Sequence, residues 1–436
     1  MTRARARNTM RTAMPFYLMK NSVQRYAWGS PTTIPRLLGL DNPGGEPVAE
    51  LWMGTHPDGP SRVDRDGREI SLAQLISDNP VAVLGDSTVR RFGARLPFLF
   101  KVLAAQRALS IQVHPSRRDA EAGYARENRA GLAPDDPRRN YKDPNHKPEL
   151  LCALEEFWGL CGFRRVDQIY REFTEPELAV SAAAPLLDAL RSSDQESAAH
   201  RAFLQTVLNY PADQSDPLMS AALRLAQRRD AELSRVIDGP PRPADARYRW
   251  VMTLASQYPA DRGALAPLFL QLFTLAPGQA LYIGAGTPHS YLRGCAVELM
   301  ANSNNVLRGG LTSKAVDVVE LLRILDASAC GPRLLHEPAP RVLHSRNGVV
   351  AGRQWDYAAP ADEFRLQRLE IETDDSVVQQ RPERPEIALC RRGHARFCSP
   401  TCCRTIGRGE SVMITADETE YTISGPAEIY LATVGL

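Results

Sequence analysis

The run Leu109-Ser110-Ile111-Gln112-Val113-His114-Pro115 alternates apolar and polar side chains, the period of a strand that buries one face. Such a strand carries Ser110, Gln112 and His114 on one side and Leu109, Ile111 and Val113 on the other. An amide and an imidazole two positions apart on one face offer two metal-ligand atoms without bending the backbone. A core histidine hydrogen-bonded to Gln112 is the plain alternative, and the stretch alone does not choose.

A chain of 436 residues exceeds one ordinary core, so two or three domains are expected. Charged residues make up 24% and nearly cancel, leaving a formal +2. Bulk charge therefore gives no attraction for nucleic acid, and an anionic ligand must be met by a local basic pocket. The eight cysteines contain no CxxC pair, which points to reduced thiols in a cytoplasmic protein. No apolar run is long enough to cross a bilayer, so no membrane partner is expected. Arg3, Arg5, Arg7 and Arg11 crowd residues 1–13 without the apolar segment of a secretory signal. That stretch is read as a disordered extension or a mis-assigned start, and the chain is expected to act as a monomer.

Residues 17–60 are aromatic and punctuated by Gly and Pro, as in short strands joined by tight turns. His56 sits before a proline, where it either caps a turn or serves as a ligand. Residues 71–76 form a capped helix, and residues 96–103 a buried strand whose Lys101 either snorkels outward or reaches a pocket. Residues 116–129 are helical, residues 134–144 a polar loop, and Glu149 opens a further apolar strand. Helical spacing then dominates residues 166–258, broken by Gly and Pro at 238–243. Strand texture returns at 268–275 and 280–283, followed by His289, and residues 312–325 read as an amphipathic helix. A Pro-rich linker at 337–340 leads to short, regularly spaced strands at 364–371, 387–390, 412–414 and 429–431. The fold class is mainly β with a helical insertion, in cupin-like jelly-roll domains. The expected boundaries are a catalytic β domain over 15–160 and 265–330, a helical insertion over 161–264, and a C-terminal sandwich over 338–436.

Gln112, His114, Glu149 and His289 each lie on or beside an expected strand, and together they offer two nitrogens and two oxygens. Zinc accepts that mixture and could keep a position open for water or a sugar oxygen. Glu149 could instead simply pair with Lys147 or Lys101. Cys398, Cys402 and Cys403, with His394 nearby, are a rival metal site, although free thiols are the expectation there.

Several longer strings point further. They are Tyr26-Ala27-Trp28-Gly29-Ser30, Glu50-Leu51-Trp52-Met53-Gly54, Ser110-Ile111-Gln112-Val113-His114-Pro115, Asn145-His146-Lys147-Pro148-Glu149, Pro288-His289-Ser290-Tyr291, and the run from Glu298 through Asn304-Asn305 and Arg308 to Thr312. In these strings the chain resembles the type I phosphomannose isomerases, from about Tyr17 to the C-terminus. The resemblance implies one zinc held by Gln112, His114, Glu149 and His289, and a catalytic arginine at Arg308. Asn304 stands where the family commonly has an aspartate discussed as an acid/base group in ring opening. An amide cannot exchange a proton near neutral pH, so that role would pass to another group or to water.

The implied reaction interconverts mannose 6-phosphate and fructose 6-phosphate through an enediolate, which needs a base, charge stabilisation and a grip on phosphate. Lys147 and Glu298 are the candidates for proton handling, and Arg308 for stabilising charge. Ser110, Lys101, Lys314 and Tyr291 are the candidate substrate and phosphate contacts, Lys314 having a solvated helix position as its plain alternative. Two rivals come from other classes. A cupin oxygenase would use redox iron but usually more than two histidines, and a non-catalytic sugar-binding cupin would have no need of Lys147 and Arg308.

Overall fold

The computed structural model describes residues 14–179, 181–210, 212–236, 242–259, 261–328, 331–335, 338–380 and 383–435. The Arg-rich residues 1–13, residues 238–241 of the expected break and Glu337 of the expected linker lie outside the described residues. The architecture is mainly antiparallel sheet with helices between, as expected. Among the described residues no helix is long and apolar enough to cross a membrane.

Contacts divide the chain into two units. One gathers residues up to Gln24, Thr32–Val102 and the segment from Glu337 onward; the other holds Arg25–Pro31 and Leu103–His336. Segments distant in sequence thus share a unit.

In the first unit the strand Phe16–Lys20 pairs with Ser411–Ile414, placing Phe16 opposite Ile414. Burial explains the choice. Phe16 is fully buried against Phe397 and Tyr421, with ring centroids 6.4 and 5.9 Å away. Strand Glu386–Cys398 links the layers, pairing early with Ala427–Thr433 and late with Cys403–Gly407 and Glu420–Ser424.

In the second unit Arg333–Leu335, Ala280–Ile283, Glu149–Ala153 and His289–Ala301 lie side by side. Strand His289–Ala301 changes layer midway. Its register slips between Tyr291 and Arg293, and Gly294 adopts φ +127° where a Cβ would meet the Glu156 carbonyl oxygen at 2.6 Å. Glycine alone fits that bend. The early half pairs with Phe157–Phe163 and with Gln112, and the late half with Glu149–Ala153. The helices Val166–Phe173, Ala184–Arg191, Glu196–Leu208, Ala212–Val236 and Pro243–Gln257 pack their apolar stripes into one core with Phe163 and Phe269.

Two expected elements are shorter than their sequence pattern. The central strand is regular only over Gln112–Val113, because Leu109 N–H donates to the Tyr291 carbonyl at 2.8 Å and Ile111 N–H to Gly310 at 3.0 Å. Amides two residues apart, on one edge of the strand, serve different neighbours and break the ladder. The helix expected over 312–325 is confined to Val318–Ile324, capped by Asp317. Ahead of it Thr312 N–H donates to Asp261 and Lys314 N–H to the Thr312 hydroxyl, so side chains take the amides a helix would need.

Helix Arg117–Arg129 begins where expected, Ser116 accepting from Asp119 N–H. Within it Gly123 lies under the fully buried Tyr141 ring, where an added Cβ would come within 2.3 Å of a ring carbon. Replacing a mid-helix glycine by alanine ordinarily gains about 0.5–1 kcal/mol. Here overpacking reverses the sign, and Gly123→Ala should destabilise by about 1–3 kcal/mol in urea unfolding. A stabilised variant would contradict this packing.

Candidate metal centre

Three side chains at or just beyond the ends of separate strands converge in the second unit. The donor atoms of His114, Glu149 and His289 all lie within 4.8 Å of one another, and all three residues are buried. His114 Nε2 is 3.3 Å from one Glu149 oxygen and His289 Nε2 is 3.4 Å from the other.

The outer faces of the imidazoles decide what the inner faces can do. His114 Nδ1 lies 2.9 Å from the Asn305 carbonyl and His289 Nδ1 lies 2.9 Å from that of Thr287. A carbonyl only accepts, so each Nδ1 carries the proton and each Nε2 presents a lone pair. His114 Nε2 is buried without a hydrogen-bond partner. Two lone pairs therefore face a carboxylate, an arrangement that repels itself unless a cation sits among them. Tetrahedral zinc with bonds of ~2.0–2.1 Å would put neighbouring ligand atoms roughly 3.3 Å apart, close to the separations seen. The residues fit a zinc ion.

Charge agrees with that geometry. Burial, helped by the nearby Lys147 ammonium, lowers the His114 pKa to about 4, keeping the imidazole neutral at pH 7. Burial alone would raise Glu149, but the positive charge of Lys147 holds it well below the usual carboxylate range. Lys147 Nζ pairs with Glu149 Oε1, and the Tyr291 hydroxyl donates to Oε2 at 3.2 Å. Burial, then the Glu149 and Glu298 carboxylates, push the Tyr291 phenol well above its ordinary value. The Tyr291 hydroxyl thus already has a carboxylate partner in Glu149.

Gln112 enters through sheet register. It pairs with His289 on one side and with Arg308 on the other, and directly paired residues project from the same face. Gln112, His289 and Arg308 therefore stand in one rank. Burial lowers the Arg308 pKa. Lys314 is exposed, and its pKa is lowered first by Arg308, so the two cations share a field. Lys314 stands in the irregular segment before Val318–Ile324, not on a helix. Ser110 is half-buried two residues before Gln112.

His56 is a buried turn histidine whose Nδ1 accepts from Asp58 N–H at 3.2 Å and whose ring meets Trp52 edge-on. Lys101 belongs to the first unit, where it faces inward, 3.7 Å from Glu50 Oε1 and 5.4 Å from the Trp52 ring centre. The expectation of free thiols at Cys398 and Cys403 is overturned. They lie directly opposite on paired strands, Cα atoms 4.2 Å apart, and form a disulfide, while Cys402 stays free. A disulfide has no thiolate to offer, and His394 is exposed, so the rival metal site loses its ligands.

Two residues escaped the sequence reading. Asn305, rather than the neighbouring Asn304, is fully buried and supplies the carbonyl that orients His114. Asp143 accepts from Ser303, Asn145 and the Asn304 N–H. The only sequence hint was polarity in a loop, which does not separate a buried amide from an exposed one.

Metal-free protein should carry a pH signature from this cluster. A His114 pKa below its unfolded value means the unfolded chain takes up a proton first as pH falls. Stability is then complete above about 6.5 and declines toward about 4, by about 2 kcal/mol between pH 7 and pH 5. Urea titrations with chelator present check this, and His114→Gln should flatten the slope.

The comparisons with known proteins agree with one another. The family described as phosphomannose isomerase type I, catalytic domain, matches residues 16–166. Mannose-6-phosphate isomerase of Escherichia coli is 36% identical over 410 residues, covering 93% of this chain and 96% of that protein. The human mannose-6-phosphate isomerase is 37% identical over 317 residues, covering 70% of this chain and 71% of its own. A crystal structure of a zinc-bound mannose 6-phosphate isomerase superposes with a TM-score of 0.82 at 34% identity, over 97% of this chain and 100% of that one.

Proposed function

The chain belongs to the type I phosphomannose isomerases, and from that premise we propose that it binds one zinc ion and interconverts mannose 6-phosphate and fructose 6-phosphate. The observation that carries this is the inward convergence of two Nε2 lone pairs and an ionised carboxylate on a buried point. His114, Glu149 and His289 hold the metal, with Gln112 as fourth ligand from its rank beside His289. Zinc so held would bind sugar oxygens and favour negative charge on them.

The chain's own residues supply the rest. Lys147, its Nζ at Glu149, is placed to handle the proton that moves between C2 and C1 through the enediolate. Glu298, buried at the Tyr291 hydroxyl, is the second proton-handling group. Arg308 stays charged at any working pH, so its guanidinium suits stabilising the enediolate better than abstracting a proton. Lys314 beside Arg308, together with Ser110, suits the phosphate. Tyr291 holds Glu149 in place. An oxygenase is disfavoured because the cluster contains only two histidines, and a non-catalytic binder because Lys147 and Arg308 stand at it. Every residue of the cluster comes from one chain, so a monomer suffices to build the site. A cytoplasmic setting is inferred from the four buried free thiols Cys152, Cys161, Cys295 and Cys390, against which the Cys398–Cys403 disulfide stands alone among the described residues.

Zinc-loaded protein should convert mannose 6-phosphate to fructose 6-phosphate in a coupled assay, and a folded, zinc-loaded protein without that turnover would overturn the proposal. Elemental analysis should find His114→Ala and His289→Ala largely without zinc. Arg308→Ala should keep its zinc yet lose on the order of a hundredfold or more in rate, the usual cost of one preorganised donor to developing charge. Arg308→Lys should also fall well short, because a point charge does not reproduce the planar fork.

A further inference from the structure

The metal centre depends on which nitrogen of His114 carries the proton, and that is set by the Asn305 carbonyl. We propose that Asn305, Asp143 and Ser303 form a positioning clasp that locks His114 in its Nδ1–H tautomer and aims its Nε2 lone pair at the metal. The inference deepens the metal reading above and rests on it for its purpose.

The side-chain amide of Asn305 uses all its capacity. Nδ2 donates to the carbonyls of Asp143 at 2.7 Å and Asn145 at 2.8 Å. Oδ1 accepts from the backbone N–H of Lys142 at 2.8 Å and Asp143 at 3.3 Å. Two carbonyls on one side and two N–H groups on the other admit a single orientation of the amide. Aspartate lacks the two donors, and the extra methylene of glutamine displaces them.

Asp143 closes the ring from the other side. Oδ1 accepts from the Ser303 hydroxyl at 2.9 Å and Asn145 N–H at 2.9 Å, and Oδ2 from Asn304 N–H at 2.8 Å. The Ser303 hydroxyl in turn accepts from Asn305 N–H at 3.2 Å. Both Ser303 and Asn305 are buried. The clasp therefore laces the segment leading to Lys147 and Glu149 to the one leading to Arg308. It leaves the Asn305 carbonyl pointing at His114 from a backbone held on both sides. These are positioning residues, since their side chains contact backbone and one another and only the Asn305 carbonyl reaches His114.

The test uses metal-free protein with 15N-labelled histidine, the His114 ring signal being assigned by its loss in His114→Gln. Wild type should show one tautomer, protonated at Nδ1, with slow exchange of the ring N–H. In Asn305→Ala the two tautomers should interchange, and zinc affinity by chelator competition should fall about 10–100-fold, the usual cost of losing support behind a metal ligand. A general loss of stability would leave the ring tautomer of the folded protein unchanged, which separates positioning from mere structure. Should Asn305→Ala misfold by circular dichroism, Ser303→Ala removes one hydroxyl from the clasp and is read in the same way. A folded variant with a single Nδ1–H tautomer and wild-type zinc affinity overturns the clasp. Wild-type protein that binds no zinc overturns the proposed function and leaves the ring readout standing.

Discussion

Two imidazole lone pairs and a carboxylate turned toward one buried point are an electrostatic debt that everything around them is arranged to hold. Left to themselves, His114 and His289 would rotate a proton inward and neutralise the arrangement. They do not, because the carbonyls of Asn305 and Thr287 occupy the outward nitrogens. Lys147 and the Tyr291 hydroxyl then steady Glu149 from its two oxygens. Asn305, Lys147 and Tyr291 are themselves buried, so the constraint is spread through sheet and loop.

Sheets suit this task because register is coarse and secure. A slip of one residue would turn Gln112 away from His289 and Arg308, and bury the wrong face of the strand. The bend at Gly294 lets strand His289–Ala301 serve two layers, carrying His289 and Tyr291 to one pairing and Glu298 to another. Proximity between Glu149 and His289 follows from that bend rather than from any local motif. The helical insertion buries its stripes in a core shared with the neighbouring strand Phe157–Phe163, and so backs the strand that pairs with His289.

Much was legible along the chain. The alternation around Gln112, the capped helix at Ser71, the helix after Ser116 and the helical spacing over residues 166–258 all reflect local geometry, which neighbouring residues express directly. Where local preference met a competing partner, it lost. Thr312 and Lys314 gave their amides to side chains, and Leu109 and Ile111 gave theirs to different neighbours. Cysteines 398 and 403 carried no sign of their pairing, since opposition across a hairpin depends on register.

By its own pattern the sequence determined the element types, the mainly β class and the chemical kinds of ligand available, because period, turn chemistry and donor identity are carried by residues close in the chain. Only the tertiary structure decided that Phe16 pairs with Ile414 and that the two imidazoles share one carboxylate. It alone decided that Asn305, not Asn304, stands behind His114. Those outcomes rest on burial and on hydrogen bonds between residues far apart in sequence. Their energies exist only once the intervening chain has folded.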